Sequence, residues 1–195
     1  MARNLKFTLA YDGHDFHGWQ VQPELVTVQG LLSAALERIT GERVLPQGSG
    51  RTDAGVHALA QVASCAIESP IPAANLVIAL NDVLPPAIRI LAIEDAAPAF
   101  HARASARAKT YRYRLWRAAI CPPFLARYVY HHPYPLDEAA MIAAAPLVCG
   151  QHDFTSFAAV DPERGREGEE ISKVRRVFSS SWQREGEELV YSIRG

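Results

Sequence analysis

Cysteine is scarce in this chain. Three residues in 195, Cys65, Cys121 and Cys149, stand far apart with no C-x-x-C spacing, so neither a disulfide framework nor a zinc site is indicated. No apolar run approaches the ~18 residues that span a bilayer, and the N-terminal MARNLKFTLAYDGHDF lacks the apolar stretch of a signal peptide. A cytoplasmic protein without membrane contact is expected. The sequence also lacks nucleotide-binding signatures: Gly48, Gly50 and Gly55 fail G-x-G-x-x-G because Asp53 takes the sixth position, and no G-K-[ST] follows. His14 and His17 are spaced H-x-x-H but have no carboxylate or cysteine partner at ligand spacing, and His131-His132-Pro133 reads as loop. No metal and no cofactor is expected.

Lysine is nearly absent as well. Of the 20 basic residues 17 are arginine, the side chain whose planar fork suits bidentate contact with phosphate. Net charge is only −1, which argues against a polyanion partner until the distribution is considered. The segment HARASARAKTYRYRLWRAAI, residues 101–120, carries Arg103, Arg107, Lys109, Arg112, Arg114 and Arg117 and no acid. The acids lie elsewhere, in residues 163–170 and at Glu185, Glu187 and Glu188. A solvated basic strand face is the commoner meaning of such a run, so by itself it supports a nucleic-acid partner only modestly.

Hydrophobic periodicity predicts the elements. Leu5, Phe7 and Leu9 alternate as on a strand over 5–11, and residues 28–40 place Val28, Leu31, Leu32, Ala35, Leu36 and Ile39 on one helical face, with Thr27 as cap and Gly41 as stop. A short strand at 43–47, a buried strand at 57–67, a helix at 72–83 closed by Pro85-Pro86 and a strand at 88–93 complete a β-α-β-β-α-β order. That order is the split βαβ, or ferredoxin-like, arrangement. Beyond it, residues 108–117 form a strand with Tyr111, Tyr113 and Leu115 on one face and Arg112, Arg114 and Trp116 on the other. A helix from Asp137 to Val148, shortened by Pro146, and strands at 173–182 and 188–194 follow. The expected class is α+β, with helices packed on a mixed or antiparallel central sheet. Two parts are expected: 1–100, the ferredoxin-like half, and 101–195, the remaining half of the sheet.

The stretch GSGRTDAGVHA, residues 48–58, sets Asp53 before Ala54-Gly55. As turn chemistry this is ordinary. A carboxylate on a tight loop at a strand edge, two residues from Arg51, is equally the arrangement of a positioned nucleophile. An aspartic-protease reading needs a second such triplet to share a proton, and none is present.

Taken together, GRTDAGVHA at 50–58, YDGHDFHGWQ at 11–20, FHAR at 100–103, KTYRYRLW at 109–116 and DFTSF at 153–157 resemble the tRNA pseudouridine synthase A family, in that family's order and over essentially the whole chain. The resemblance implies the pseudouridine synthase fold and isomerisation of uridine to pseudouridine in the tRNA anticodon stem-loop, at tRNA positions 38, 39 and 40, by a homodimer. Asp53 matches the family's catalytic aspartate, Arg51 the arginine that helps extrude the target nucleotide, and Tyr111 the tyrosine that stacks on uracil. Arg103, Arg107, Lys109, Arg112 and Arg114 are the expected phosphate contacts. Family members continue past residue 195 into a strand and helix that bring an arginine to face the aspartate, and Arg194 precedes that segment. The alternative expectation is therefore a truncated, catalytically impaired tRNA-binding scaffold of the same family; a hydrolase using Asp53 is the remote third.

Overall fold

The computed structural model describes residues 2–158 and 172–195. The acidic stretch at 163–170 lies outside the described residues. The chain divides into two compact units, Met1–Arg107 and Ala108–Gly195.

In the first unit the elements run β1 (Arg3–Tyr11), α1 (Val28–Thr40), β2 (Gln47–Gly48), β3 (Ala58–Ile67), α2 (Ala73–Val83) and β4 (Ile88–Ala96). The strands form one antiparallel sheet in the order β2-β3-β1-β4, the ferredoxin-like topology. Its core is the alternating set Leu5, Phe7, Leu9 and Tyr11 of β1 against Val28, Leu32 and Leu36 of α1 and Leu76 and Leu80 of α2, all buried. Helix α1 starts where Thr27 accepts a hydrogen bond from the Gly30 N–H and stops where Gly41, at φ 76°, donates to the Glu37 carbonyl.

Two irregularities shape this sheet. Between Thr8 and Leu9 the β1–β4 register slips by one residue, and the Asn81 side chain donates to the Ile90 carbonyl and accepts from the Ile90 N–H (2.9 and 2.8 Å). Between Leu9 and Tyr11 the β1–β3 register slips as well, from Leu9–Gln61 to Tyr11–Ala58. The second slip lies beside the loop that carries Asp53.

The second unit holds β5 (Thr110–Trp116), β6 (Tyr130–His131), α3 (Glu138–Ala144), β7 (Gly150–Asp153), β8 (Val174–Val177), β9 (Ser179–Glu185) and β10 (Glu188–Arg194). A four-stranded sheet runs β6-β5-β10-β9, parallel only between β5 and β6, and β7 pairs with β8 in a separate ladder. Asp137 caps α3 through the Ala140 N–H (2.8 Å), and Pro146 falls in a 3-10 turn over Ala145–Val148, so the helix is shorter than its apolar pattern suggests. The expected strand at 173–182 breaks at Phe178 into β8 and β9, and the short strand expected at 43–47 is confined to Gln47–Gly48. Among the described residues no helix is long and apolar enough to cross a membrane.

Cys65, half-buried on β3, has its thiol pushed up to about 12, first by burial and then by the Glu42 carboxylate. A group raised in the folded state stabilises it fully below its unfolded value, here near 9.0, and the contribution is lost as pH climbs toward 12. Unfolding free energy is expected to decline between about pH 9 and 11, and Cys65→Ala to make that decline shallower. Denaturant titrations across this range check it; equal slopes in both proteins would refute it.

Candidate active site

The loop after β2 is tied at several backbone groups, in part by the segment after β1. The Trp19 N–H donates to the Thr52 carbonyl (3.0 Å), the Gly55 N–H to the Phe16 carbonyl (3.2 Å), and the Val56 N–H to the carbonyl of Asp53 itself (3.2 Å). Two glycines permit this approach. A methyl on Gly13 would overlap the Val56 carbonyl, and one on Gly18, at φ +82°, would overlap the Thr52 carbonyl and meet the Asp53 carbonyl carbon at 3.1 Å. The Trp19 indole lies on Gly48, where an added Cβ would stand 2.6 Å from the ring.

Side chains complete the clamp. Tyr11 Oη and Thr52 Oγ1 share a hydrogen bond at 2.9 Å. Burial pushes the Tyr11 phenol above its ordinary value, against the pull of hydrogen bonds with Thr52 and Gln61. Gln61, buried on β3, accepts from Ser49 Oγ and donates to the Gly50 carbonyl, both at 2.7 Å. At the far end of the loop, His57 Nδ1 lies 3.1 Å from the Gly13 N–H and 3.0 Å from Asp12 Oδ1. Both contacts tie the two segments.

Gln29 of α1 ties the segment after β1 to the residue that leads into β2. Fully buried, it accepts from the Val21 N–H (3.0 Å) and donates to the Pro46 carbonyl (2.9 Å). Gln29→Leu keeps the volume but leaves the buried Pro46 carbonyl without its donor, worth about 1–3 kcal/mol, while the N–H of the exposed Val21 can turn to water. A loss of roughly 1–3 kcal/mol in urea unfolding is expected; a loss below about 0.5 kcal/mol would mean that water or a shifted backbone replaces the bond.

Within this frame Asp53 is exposed, and its carboxylate has no hydrogen bond or ion pair among the described residues. A rigid backbone with an uncommitted carboxylate suits a group that must meet substrate, as nucleophile, base or stabiliser of positive charge. Arg51 sits exposed on the same loop. Tyr111 belongs to the second unit, on β5 in register with Ile193, and is 59% exposed. Its neighbour Tyr113, exposed, lies 6.3 Å from the exposed ring of Tyr130, which lies 6.0 Å from the half-buried His132.

The basic run proves heterogeneous. Asn4 donates to the carbonyls of Ala97 and Phe100 (3.0 and 2.8 Å) and Ser64 Oγ accepts from the Ala102 N–H (3.0 Å), which fixes the FHAR turn and leaves Arg103 exposed beside it. Arg103, Arg107 and Lys109 are exposed, with no side-chain partner among the described residues. Arg112 and Arg114 differ. Glu185 takes Arg112 at 3.0 and 3.2 Å and Glu188 takes Arg114 at 2.7 and 2.6 Å, so acids remote in sequence neutralise this part of the strand through the β5–β10–β9 ladder. Sequence reading missed this pairing and the roles of Tyr11, Asp12, Gln29, Gln61 and His57. The signals available were the motifs that contain Tyr11, Asp12 and His57 and, for Gln61, a polar residue inside the otherwise apolar ALAQVA. Among the described residues no group of three or more His, Cys, Asp or Glu could hold a metal ion.

Comparison with known proteins matches residues 9–103, which include the whole clamp, to a family described as tRNA pseudouridine synthase. The chain is 55% identical over 193 residues to a protein of Solibacter usitatus named tRNA pseudouridine synthase A, covering 99% of this chain and 79% of that one. Proteins of the same name from Caldicellulosiruptor saccharolyticus (44% identical; 90% of this chain, 70% of the relative) and Brevibacillus brevis (43%; 99% and 77%) are also similar. Identity this high over nearly the full chain, with the Asp53 loop inside the matched region, places the chain in the tRNA pseudouridine synthase A family.

Proposed function

We propose that this chain isomerises uridine to pseudouridine in the anticodon stem-loop of tRNA, at tRNA positions 38, 39 and 40, with Asp53 as the catalytic carboxylate. The observation that carries the reading is the clamped loop that presents an uncommitted Asp53, in a chain 55% identical to a tRNA pseudouridine synthase A. In the reaction the C1′–N1 bond breaks, the uracil rotates, a C1′–C5 bond forms, and the proton lost from C5 is balanced by one gained at N1. No electrons are exchanged with a second molecule, so no redox cofactor is called for.

In this reading Asp53 is the carboxylate that acts as nucleophile, on the base or on the sugar, or stabilises the charge that develops as the base is detached. Arg51 fills the space of the extruded nucleotide, and Tyr111 stacks on the uracil and handles the C5 proton. Arg103, Arg107 and Lys109 contact phosphates directly. Arg112 and Arg114 do so only by giving up Glu185 and Glu188, and contribute less. The protein works in the cytoplasm as a homodimer.

Unmodified tRNA transcripts incubated with the chain and mapped for pseudouridine test this. Modification at 38, 39 or 40 is the expected result. Modification confined to another part of the tRNA would overturn the anticodon assignment, and tRNA binding without any pseudouridine would leave the chain a binding scaffold.

A further inference from the structure

Two arginines of the second unit converge on one aromatic ring. Arg176 of β8 and Arg194 at the end of β10 hold their guanidinium carbons 5.6 and 5.4 Å from the centroid of Phe178, a ring 48% exposed. The backbone fixes the arrangement. The Phe178 N–H donates to the Arg194 carbonyl (2.7 Å), Arg194 pairs in register with Ser179, and Gly195 lets the Arg176 carbonyl come within 3.1 Å of where a Cβ would stand.

Stacking on a ring uses the face of a guanidinium and leaves its N–H donors at the edge. Other arginines of this unit have spent theirs. Arg112 and Arg114 are taken by Glu185 and Glu188, Arg117 and Arg184 by Glu138, and Arg175 by the carbonyls of Ser172 and Val174. The guanidiniums of Arg176 and Arg194 have no hydrogen bond or ion pair to another described residue. Two cations held on one ring repel one another, and anionic groups bound at their donor edges relieve that repulsion. Because the ring already restricts both side chains, little rotamer freedom is lost when the anion binds.

We propose that Arg176, Arg194 and Phe178 form a phosphate clamp for the sugar–phosphate backbone of the RNA substrate, in addition to the contacts named above. The proposal rests on the tRNA reading. An RNA backbone is the occupant favoured here because it offers successive phosphates to two ordered guanidiniums, whereas free phosphate offers one.

The test is binding of labelled tRNA across a salt series by wild type, R176A/R194A, the charge reversal R176E, F178L and, as control, R43Q, which removes an exposed arginine already paired with Glu37. The double variant is expected to bind about tenfold more weakly near 0.1 M salt and to lose about 1–2 units of the log–log salt slope. R176E should weaken binding at least as much. F178L keeps both charges and should lose only about threefold with the slope preserved, and R43Q should match wild type. Millimolar inorganic phosphate should not compete; displacement by it would identify a free-anion site and overturn the RNA assignment. Unchanged affinity and slope in the double variant, with wild type binding normally, would defeat the clamp alone. Absence of salt-dependent tRNA binding by wild type would defeat the tRNA reading and the clamp with it.

Discussion

Gly18→Ala is expected to destabilise the first unit by about 2–4 kcal/mol and, on the function proposed above, to slow pseudouridine formation about a hundredfold. Two penalties add at this position. A β-carbon at φ +82° is intrinsically unfavourable by roughly 1–2 kcal/mol, and here it is also driven into the Thr52–Asp53 backbone, which has no flexible end to yield. Relief comes only by moving the chain that carries Asp53. A displacement of about 1 Å in a catalytic group is enough to lose two orders of magnitude in rate. Gly55→Ala is the internal comparison. Its φ of +78° is similar, but nothing lies within 4 Å of the added carbon, so only the conformational part, about 1–2 kcal/mol, should appear. Urea unfolding of both variants separates the terms; equal losses would show that the close approach at Gly18 carries no energy.

The alternation of Leu5, Phe7 and Leu9 and the 3-4 spacing from Val28 to Ile39 made the ferredoxin-like order of the first unit legible, because its long strands and helices, unlike the two-residue β2, bury apolar faces. Where burial is slight, the pattern fades. Tyr130–His131 is a two-residue strand with both side chains exposed, and nothing local marks it. The break at Phe178 was illegible for another reason: residues 173–182 satisfy a strand pattern throughout, and the interruption follows from the Phe178 N–H turning to the Arg194 carbonyl, a contact 16 residues away in sequence. The arginines of β5 show the same limit. Their charge was plain, but the arrival of Glu185 and Glu188 depends on the register of β10 against β5 and β9.

The site divides along similar lines. GRTDAGVHA announces a tight loop with a carboxylate, and YDGHDFHGWQ announces a second loop. That the second is a splint for the first, with Gly13 against Val56 and Gly18 against Thr52, is a tertiary fact that neither stretch expresses alone. Gln29 and Gln61 belong to the same class. Each looks like a flaw in an apolar pattern, and each proves to hydrogen-bond loop backbone groups, the buried Pro46 carbonyl among them.

The second large effect concerns Asp53 itself. Asn is nearly isosteric with Asp, the carboxylate makes no hydrogen bond or ion pair among the described residues, and the loop is held through backbone groups and neighbouring side chains. Asp53→Asn should therefore leave folding intact, with a thermal midpoint close to wild type. It removes the charge, and with it any nucleophile or general base at this position, for a loss of about a thousandfold or more in rate. Affinity for tRNA, set by phosphate contacts, should stay within about threefold.

The most direct measurement is pseudouridine formation on an unmodified tRNA transcript by wild type and Asp53→Asn side by side, with tRNA binding measured on the same preparations. Turnover by the first, none by the second and equal binding by both is the predicted result. Turnover that survives in Asp53→Asn would contradict the assignment of the chemistry to this carboxylate.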